Sequence, residues 1–538
     1  MKTRITGLLC TFIFLIITGS SLVRAQVVYE HVSNKGIYNF LDEMANIKVI
    51  ELNSVVKPYS RMFIAQKLKE ISGHVDQLNR RQQQELEFYL KDFNKELMPG
   101  KSYDKRFDLF YYKDSLFTFS VDPILGLQFW NNKNGTNYHR WNGAEVFSYV
   151  GKHFGVYANL RDNHEEKKLS DPNYLTTRPG AKYKSGNDFS EMRGGMTWSW
   201  KWGSFGLIKD HFEWGNYYRY PSIMSSKPPS ITHLTLNLKP VEWFEFNYIH
   251  GWLVSGVVDS TLSYSFTNSY GTRTRIVYRN KYIAANMFTF KPFRNFYASI
   301  GNSIIYSDNN VHPAYLIPFF LYKSIDHTLN QNGSNEGGEN SQFYLDFSSR
   351  QINHLHLFAT LFFDDVSITR LKKNGHLDYY SLKAGFQVAD LIPNLFLTMS
   401  YFQSYPLVYK HEMPTTTYES NFYNLGYYLQ DNSREVYLDL IYRPVCGLNM
   451  KLYYDFAQHG PDHASLGTDR LDVVNMFMDK VEWQNQTIGF NASYQLFNDI
   501  YVFTEIVHSN ITGDVQKYTP PMYYGKTTTL SAGANFGF

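Results

Sequence analysis

Cysteine is nearly absent from this sequence: among 538 residues only Cys10 and Cys446 carry a thiol. With Cys10 inside a cleavable leader, no intramolecular disulfide can form, and no cysteine pair exists to seat a metal. Charge of one sign is missing as well. The 52 Lys and Arg stand against 49 Asp and Glu, and loss of Lys2, Arg4 and Arg24 with the leader brings the two into balance. No basic excess supports a nucleic-acid partner, and no acidic run suggests a solvating tail. After residue 25 no apolar stretch approaches the length of a membrane-spanning helix. Catalytic signatures are missing too: there is no zincin motif, no nucleophile elbow and no P-loop. The clusters His164-Glu165-Glu166 and Asp364-Asp365 lie in or beside loops, where charged side chains are ordinarily solvated. The expectation is a protein that is not an enzyme and uses neither cofactor nor metal.

Aromatic residues, by contrast, are abundant, at 17% with 43 Tyr and 41 Phe. The chain opens with Lys2 and Arg4, an apolar run from Gly7 to Val23, and small residues ahead of Gln26. This is the pattern of a secretory signal peptide over 1–25. Residues 26–105 then keep a helical period. Ile37, Leu41, Met44 and Ile47 share one face, Ile64, Leu68 and Ile71 a second after an N-cap at Ser60, and Leu86, Leu90, Phe93 and Leu97 a third. About eighty residues make a marginal core alone. The expectation is a small periplasmic helical region packed on or into a larger body as a plug.

From 106 to 538 the period is two. Phe154, Val156, Ala158 and Leu160 alternate with Tyr157, Asn159 and Arg161, and Leu448, Met450, Leu452 and Tyr454 with polar neighbours. Lipid outside and a polar lumen inside produce this alternation. About eighteen such segments begin near 116, 142, 153, 191, 203, 230, 242, 281, 294, 341, 354, 378, 393, 434, 447, 485, 499 and 526. Connections after the even ones are short and those after most odd ones long. The chain therefore reads as an all-β, about 18-stranded antiparallel transmembrane β-barrel with a small N-terminal helical region, multi-pass in the outer membrane of a Gram-negative bacterium. The alternating end "KTTTLSAGANFGF" reads as the strand that closes the barrel. Its terminal aromatic is the kind of signal used by barrel assembly machinery, and outer-membrane lipid is the expected surround. The inward charges Arg193, Lys201, Lys383, Lys451, Glu435, Asp439 and Asp455 are mixed in sign, as in a plugged rather than an open lumen.

Two stretches carry more. In 207–230 a strand runs into Trp214-Gly215, then Tyr217, Tyr218, Arg219 and Tyr220, then Pro228-Pro229. In 312–327 Tyr315-Leu316 precede Pro318, and a later strand ends in Asp364-Asp365. In this order the elements resemble the capsule-assembly Wzi family of outer-membrane proteins, over nearly the whole mature chain. The segment "NYYRYPSIM" is more aromatic than that family's Gly- and Leu-rich version. The resemblance implies an outer-membrane lectin that helps attach or assemble capsular or other surface polysaccharide. The competing reading is an oligosaccharide or solute channel, porin-like. Sugar rings stack on Tyr and Trp while their hydroxyls pair with Asp, Asn and Arg. Trp214, Tyr217, Tyr218, Arg219, Tyr220, Trp130 and Trp141, expected on exposed loops, are accordingly glycan-binding candidates, and Tyr315, Asp364 and Asp365 join them from the elements that carry the resemblance. The competing role for the rings is an interfacial girdle.

Overall fold

The structure is a computed structural model that describes residues 26–97, 108–184, 186–329, 339–364, 379–463, 476–497 and 500–537. The expected signal peptide over 1–25, Asp365 and Phe538 lie outside these residues. Eighteen antiparallel strands among them close into one barrel. In chain order they are β1 (Phe117–Asn132), β2 (Gly135–Val150), β3 (Phe154–Glu165), β4 (Asp188–Trp200), β5 (Gly203–Asp210), β6 (Ile231–Val241), β7 (Phe244–Val258), β8 (Tyr278–Phe293) and β9 (Phe296–Tyr306). There follow β10 (Asn340–Ser349), β11 (Leu355–Asp364), β12 (Tyr380–Val388), β13 (Leu395–Ser404), β14 (Ser433–Tyr442), β15 (Leu448–His459), β16 (Trp483–Phe497), β17 (Ile500–Gly513) and β18 (Gly525–Phe536).

Each strand pairs with its sequence neighbours, and closure is made by β18 on β1, from Leu530 opposite Asn131 to Phe536 opposite Leu125. Below that point the short strand Phe110–Lys113 takes over the same edge of β1, with Phe110 opposite Val121. The last strand thus stays ordered because both its edges are hydrogen-bonded, to β17 and to β1. The outward positions are apolar and exposed: Phe154, Val156 and Leu160 on β3, Met192, Met196 and Trp198 on β4, Ile488 and Tyr494 on β16. Trp202, Trp243, Phe293 and Phe497 ring the short-turn end. This is a lipid-facing belt with an aromatic girdle, and the short-turn end faces the periplasm in barrels of this kind. Lys201, expected inside, sits exposed in the turn between β4 and β5, because the strand ends one residue before it.

Four α-helices among the described residues precede the barrel: α1 (Lys35–Asn46), α2 (Arg61–Ser72), α3 (Arg80–Asp92) and α4 (Asn94–Leu97). Ser60 caps α2 by accepting from the Phe63 N–H at 3.1 Å, and Asn79 with Gln82 forms a capping box on α3. Ile37, Leu41, Met44, Ile64, Leu68, Ile71, Leu86 and Phe93 are buried together between them. The unit docks on the short-turn rim around its circumference. Gln26 donates to the Gly151 carbonyl (3.0 Å), Lys291 pairs with Glu51 (2.7 Å), and Arg81 donates to Asn394 (2.8 Å). Arg443 pairs with Glu43 at 2.9 Å.

One segment takes an unexpected route. After β9 the chain turns back over the outside of the wall as a 3-10 turn, Pro313–Leu316, and α5 (Tyr322–Leu329). Tyr315 and Tyr322 are buried there against outward-facing Phe246, Tyr248, Tyr282, Ile304 and Tyr306. The wall carries polar side chains at this place. Asn286 Nδ2 donates to the carbonyls of Pro318 (2.8 Å) and Phe320 (2.9 Å), Tyr248 to that of Tyr315 (2.9 Å), and Asn302 accepts from the Tyr322 N–H (2.9 Å). Irregular backbone against a lipid-facing wall needs such partners. Leu316, Ile317, Phe319, Phe320 and Leu321 remain exposed on its outer side.

Candidate functional site

The residues singled out at 214–220 do not stand on an exposed loop. The connection between β5 and β6 folds into the lumen, because Phe212, Trp214, Ile223 and Met224 are apolar and the inward face of the nearby wall is apolar too. Ile249 and Leu253 of β7, Ile283 and Met287 of β8, Tyr344 of β10 and Phe362 of β11 receive them. Val408, Tyr409, Tyr418, Leu425, Tyr427 and Leu429, from the connection between β13 and β14, complete a dry core inside the barrel. Ile223 and Met224 are 0% exposed and Trp214 is 1% exposed.

The inserted connection also meets the helical region. Val56 and Lys57 pair antiparallel with Trp214 and Glu213, and the Gly215 N–H donates to the Val55 carbonyl at 2.8 Å. The turn needs glycine there, since Gly215 has φ of +100°. At another close approach, Tyr344 lies across Gly301, where an added Cβ would meet the ring at 2.2 Å. Its hydroxyl donates to the backbone carbonyls of Asn286 (2.9 Å) and Asn302 (3.1 Å).

Polar partners fix the rest of the insertion. Asp346 accepts from the Asn216 N–H (3.0 Å), from the Asn216 amide and from Thr360 (2.6 Å). Tyr218 hydrogen-bonds His356 at 2.6 Å, and Tyr217 donates to Glu213 with the Lys57 ammonium 4.2 Å from its ring centroid. Arg219 pairs with Asp455 (2.5 Å), reaches Glu435 (3.6 Å) and lies over the Tyr437 ring at 4.7 Å. The Tyr220 carbonyl accepts from Lys383, and both Tyr427 and Tyr428 donate to Glu435. Five of the expected inward charges, Arg193, Lys383, Glu435, Asp439 and Asp455, are buried; Arg193 is held by Asp210 at 2.6 Å. On β15 and β17 Lys451, Tyr453 and Glu505 are half-buried.

The other candidates also differ from the exposed-loop expectation. Trp130 faces inward near the rim, buried with Leu169 and Met522. Trp141 is inward and half-buried, its ring 4.7 Å from that of His139. Both stand in strands, because the β1–β2 hairpin continues to Lys133-Asn134. Asp364 faces the lumen and accepts from the Tyr409 N–H at 2.7 Å. Tyr315 is on the outer wall. The structure therefore brings Trp214 to Tyr220 together with Asp364 inside the barrel and separates Tyr315 from them. Sequence reasoning missed the partners Asp346, His356, Tyr409 and Tyr427. The signal that could have found the insertion is in β8, where "IAANM" lacks the polar alternation of an open wall.

A cavity of about 690 Å³ lies at the short-turn end between α2 and the wall, lined among others by Tyr59, Phe63, Trp202, Lys239, Asn247 and Tyr297. Two groups have the composition of metal ligands: His31, Asp210 and His211, and Asp431, His459 and Asp462. In the first, Asp210 is held by Arg193. In the second the Lys410 ammonium lies between Asp431 (2.9 Å) and Asp462 (3.0 Å), where a cation would sit. Outside the spanning strands, those carboxylates hold the Lys410 ammonium above the usual lysine range, against burial that lowers it.

These features define an outer-membrane β-barrel with a filled lumen. No family model matches the sequence, and no curated protein matches it. Among solved structures the barrel is similar to Wzi of Escherichia coli, described as an outer membrane protein involved in group 1 capsule assembly and a carbohydrate binding β-barrel. That match has a TM-score of 0.58 at 11% identity and covers 96% of this chain and 100% of that one. Acinetobacter baumannii OccAB2 matches with a TM-score of 0.43 at 9% identity, over 78% of this chain and 97% of that one. Pseudomonas aeruginosa OccK5 (OpdH) matches at 0.42 and 10%, over 77% and 97%.

Proposed function

We propose that this barrel is a non-enzymatic outer-membrane lectin that binds capsular or other surface polysaccharide and helps hold it on the cell. The observation that carries the reading is the dry core inside the barrel: Trp214, Ile223, Met224, Tyr418, Leu425 and Tyr427 are buried in a lumen that an open porin would leave polar and wet. A barrel filled in this way has its exposed loops for function and little use for its interior as a path. The likeness in fold to a carbohydrate-binding barrel agrees with this. The absence of any catalytic motif in the sequence supports binding without turnover.

The test is a glycan array and a pull-down of purified surface polysaccharide with the full chain in lipid nanodiscs. Retention of polysaccharide that free polysaccharide competes away supports the reading. No retention of any glycan, together with solute flux through the reconstituted protein, supports the channel instead.

A further inference from the structure

The connection between β7 and β8 does not fold into the lumen or back on the wall. It forms a separate two-stranded sheet, Tyr264–Asn268 with Gly271–Arg275, that pairs with no barrel strand. All ten strand residues are exposed. An arm of five residues a side reaches roughly 17 Å, and it belongs to the long-loop end of the barrel. An isolated hairpin is marginal in water, and this one holds large rings in solvent: Tyr264 is 52% and Tyr270 82% exposed.

Its two faces differ. Ser265 faces Thr274 and Thr267 faces Thr272 across the strands, each hydroxyl pair at 3.0 Å. On the other face Tyr264 is opposite Arg275 and Phe266 opposite Arg273. The Tyr264 and Phe266 ring centroids are 6.3 Å apart, the Arg275 guanidinium lies 5.9 Å from the Tyr264 ring, and Arg273 lies 5.7 Å from that of Tyr270. The arm itself carries no Asp or Glu and holds Arg273 and Arg275; at its base Asp259 interacts with Arg279, and Lys281 is buried in the wall near Glu419 (4.0 Å). Rings flanked by guanidinium groups whose cross-strand partners are rings and not carboxylates form a surface for a flat partly apolar ligand that carries anions.

We infer that this hairpin is the glycan-contacting arm of the protein and that its ligand is an acidic polysaccharide, with uronate-type sugar rings on Tyr264 and Phe266 and their carboxylates on Arg273 and Arg275. The inference rests on the polysaccharide-binding reading above and names the site and the charge class of the ligand. Stacking supplies the apolar part and bidentate guanidinium–carboxylate pairing the ionic part. Exposure of both faces favours a polymer above the membrane over a lipid headgroup at its surface.

The test measures binding of polygalacturonate and hyaluronate, with dextran as the neutral comparator, to the full chain in nanodiscs made with and without lipopolysaccharide. The parent is expected to bind the polyuronates over dextran, more weakly as salt rises. The double change Arg273→Ser with Arg275→Ser should weaken binding by about tenfold or more, and Tyr264→Ser with Phe266→Ser similarly. Thr267→Val with Thr272→Val, on the opposite face, should leave it unchanged. Replacing 261–276 by a short Gly-Ser turn removes the arm without touching a barrel strand and should abolish binding, with normal heat-modifiability confirming the barrel. If the parent binds polyuronate and every arm variant binds within twofold of it, the arm is not the site and the lectin reading survives. Preference for dextran overturns the acidic class alone. Arm-dependent binding of lipopolysaccharide nanodiscs without polyuronate binding overturns the choice of polymer over headgroup. A parent that retains no glycan overturns both readings.

Discussion

Arg350, on the turn between β10 and β11, donates to Asp42 of α1 at 2.8 Å, and both side chains are buried at the junction of helical unit and barrel. The same guanidinium reaches Asn46 (2.7 Å), Ser54 (2.8 Å) and the Leu52 carbonyl (3.1 Å), so it ties the helical unit to the barrel. Breaking a buried pair leaves an uncompensated charge, at about 3–5 kcal/mol. Arg350→Leu is expected to leave the barrel inserted while the segment 35–97 becomes protease-sensitive. Cleavage rates of refolded protein measure this.

Within the lumen, Trp214→Ala should cost about 3–5 kcal/mol through the cavity it leaves. Because Val56 and Lys57 pair with Trp214 and Glu213, the loss should loosen the lumen insertion and the helical unit together. A lower temperature for the heat-modifiable gel shift, with brief current events absent from the parent, is the expected result.

On the outer wall, Asn286→Leu removes the donor for the Pro318 and Phe320 carbonyls. Each unsatisfied buried carbonyl costs about 1–3 kcal/mol, so the segment 313–329 should detach. Trypsin cleavage at Lys323 in detergent, slow in the parent and fast in the variant, is the check.

Most of the barrel was legible in the sequence and the site was not, for a physical reason. Alternation is set by lipid on one side, so strand starts fall within three residues of the observed ones except for β2, which begins at Gly135 rather than near 142. Its added residues, among them Tyr138, His139 and Arg140, extend the hairpin towards the outer rim, where lipid no longer dictates an apolar face. The helix faces of Ile37, Ile64 and Leu86 were equally plain. Trp214 and Tyr220 are a different case: a ring for stacking on a sugar and a ring for filling a lumen are the same residue types, and only the receiving wall of Ile249, Ile283 and Phe362 decides between them. The place of Tyr315 is decided in the same way, by a receiving wall on the outside of β7 to β9.

In the helical unit, burial pushes the Glu85 carboxyl up to about 7, with the Glu43 charge adding to the rise and Arg81 opposing it. A carboxyl raised above its unfolded value near 4.5 contributes stability that is full below that value and is lost as pH rises through about 7. The fold of the helical unit should loosen as pH rises from 5 to 8, and Glu85→Gln should flatten the dependence. Hydrogen exchange of α3 amides against pH measures it.

If the lumen is a packed core and the protein works by binding rather than conduction, steady-state current through the full chain in a planar bilayer stays at the level of protein-free membrane and rises only when residues 216–226 are replaced by a Gly-Ser linker. A steady, ion-selective conductance in the unaltered protein would contradict it.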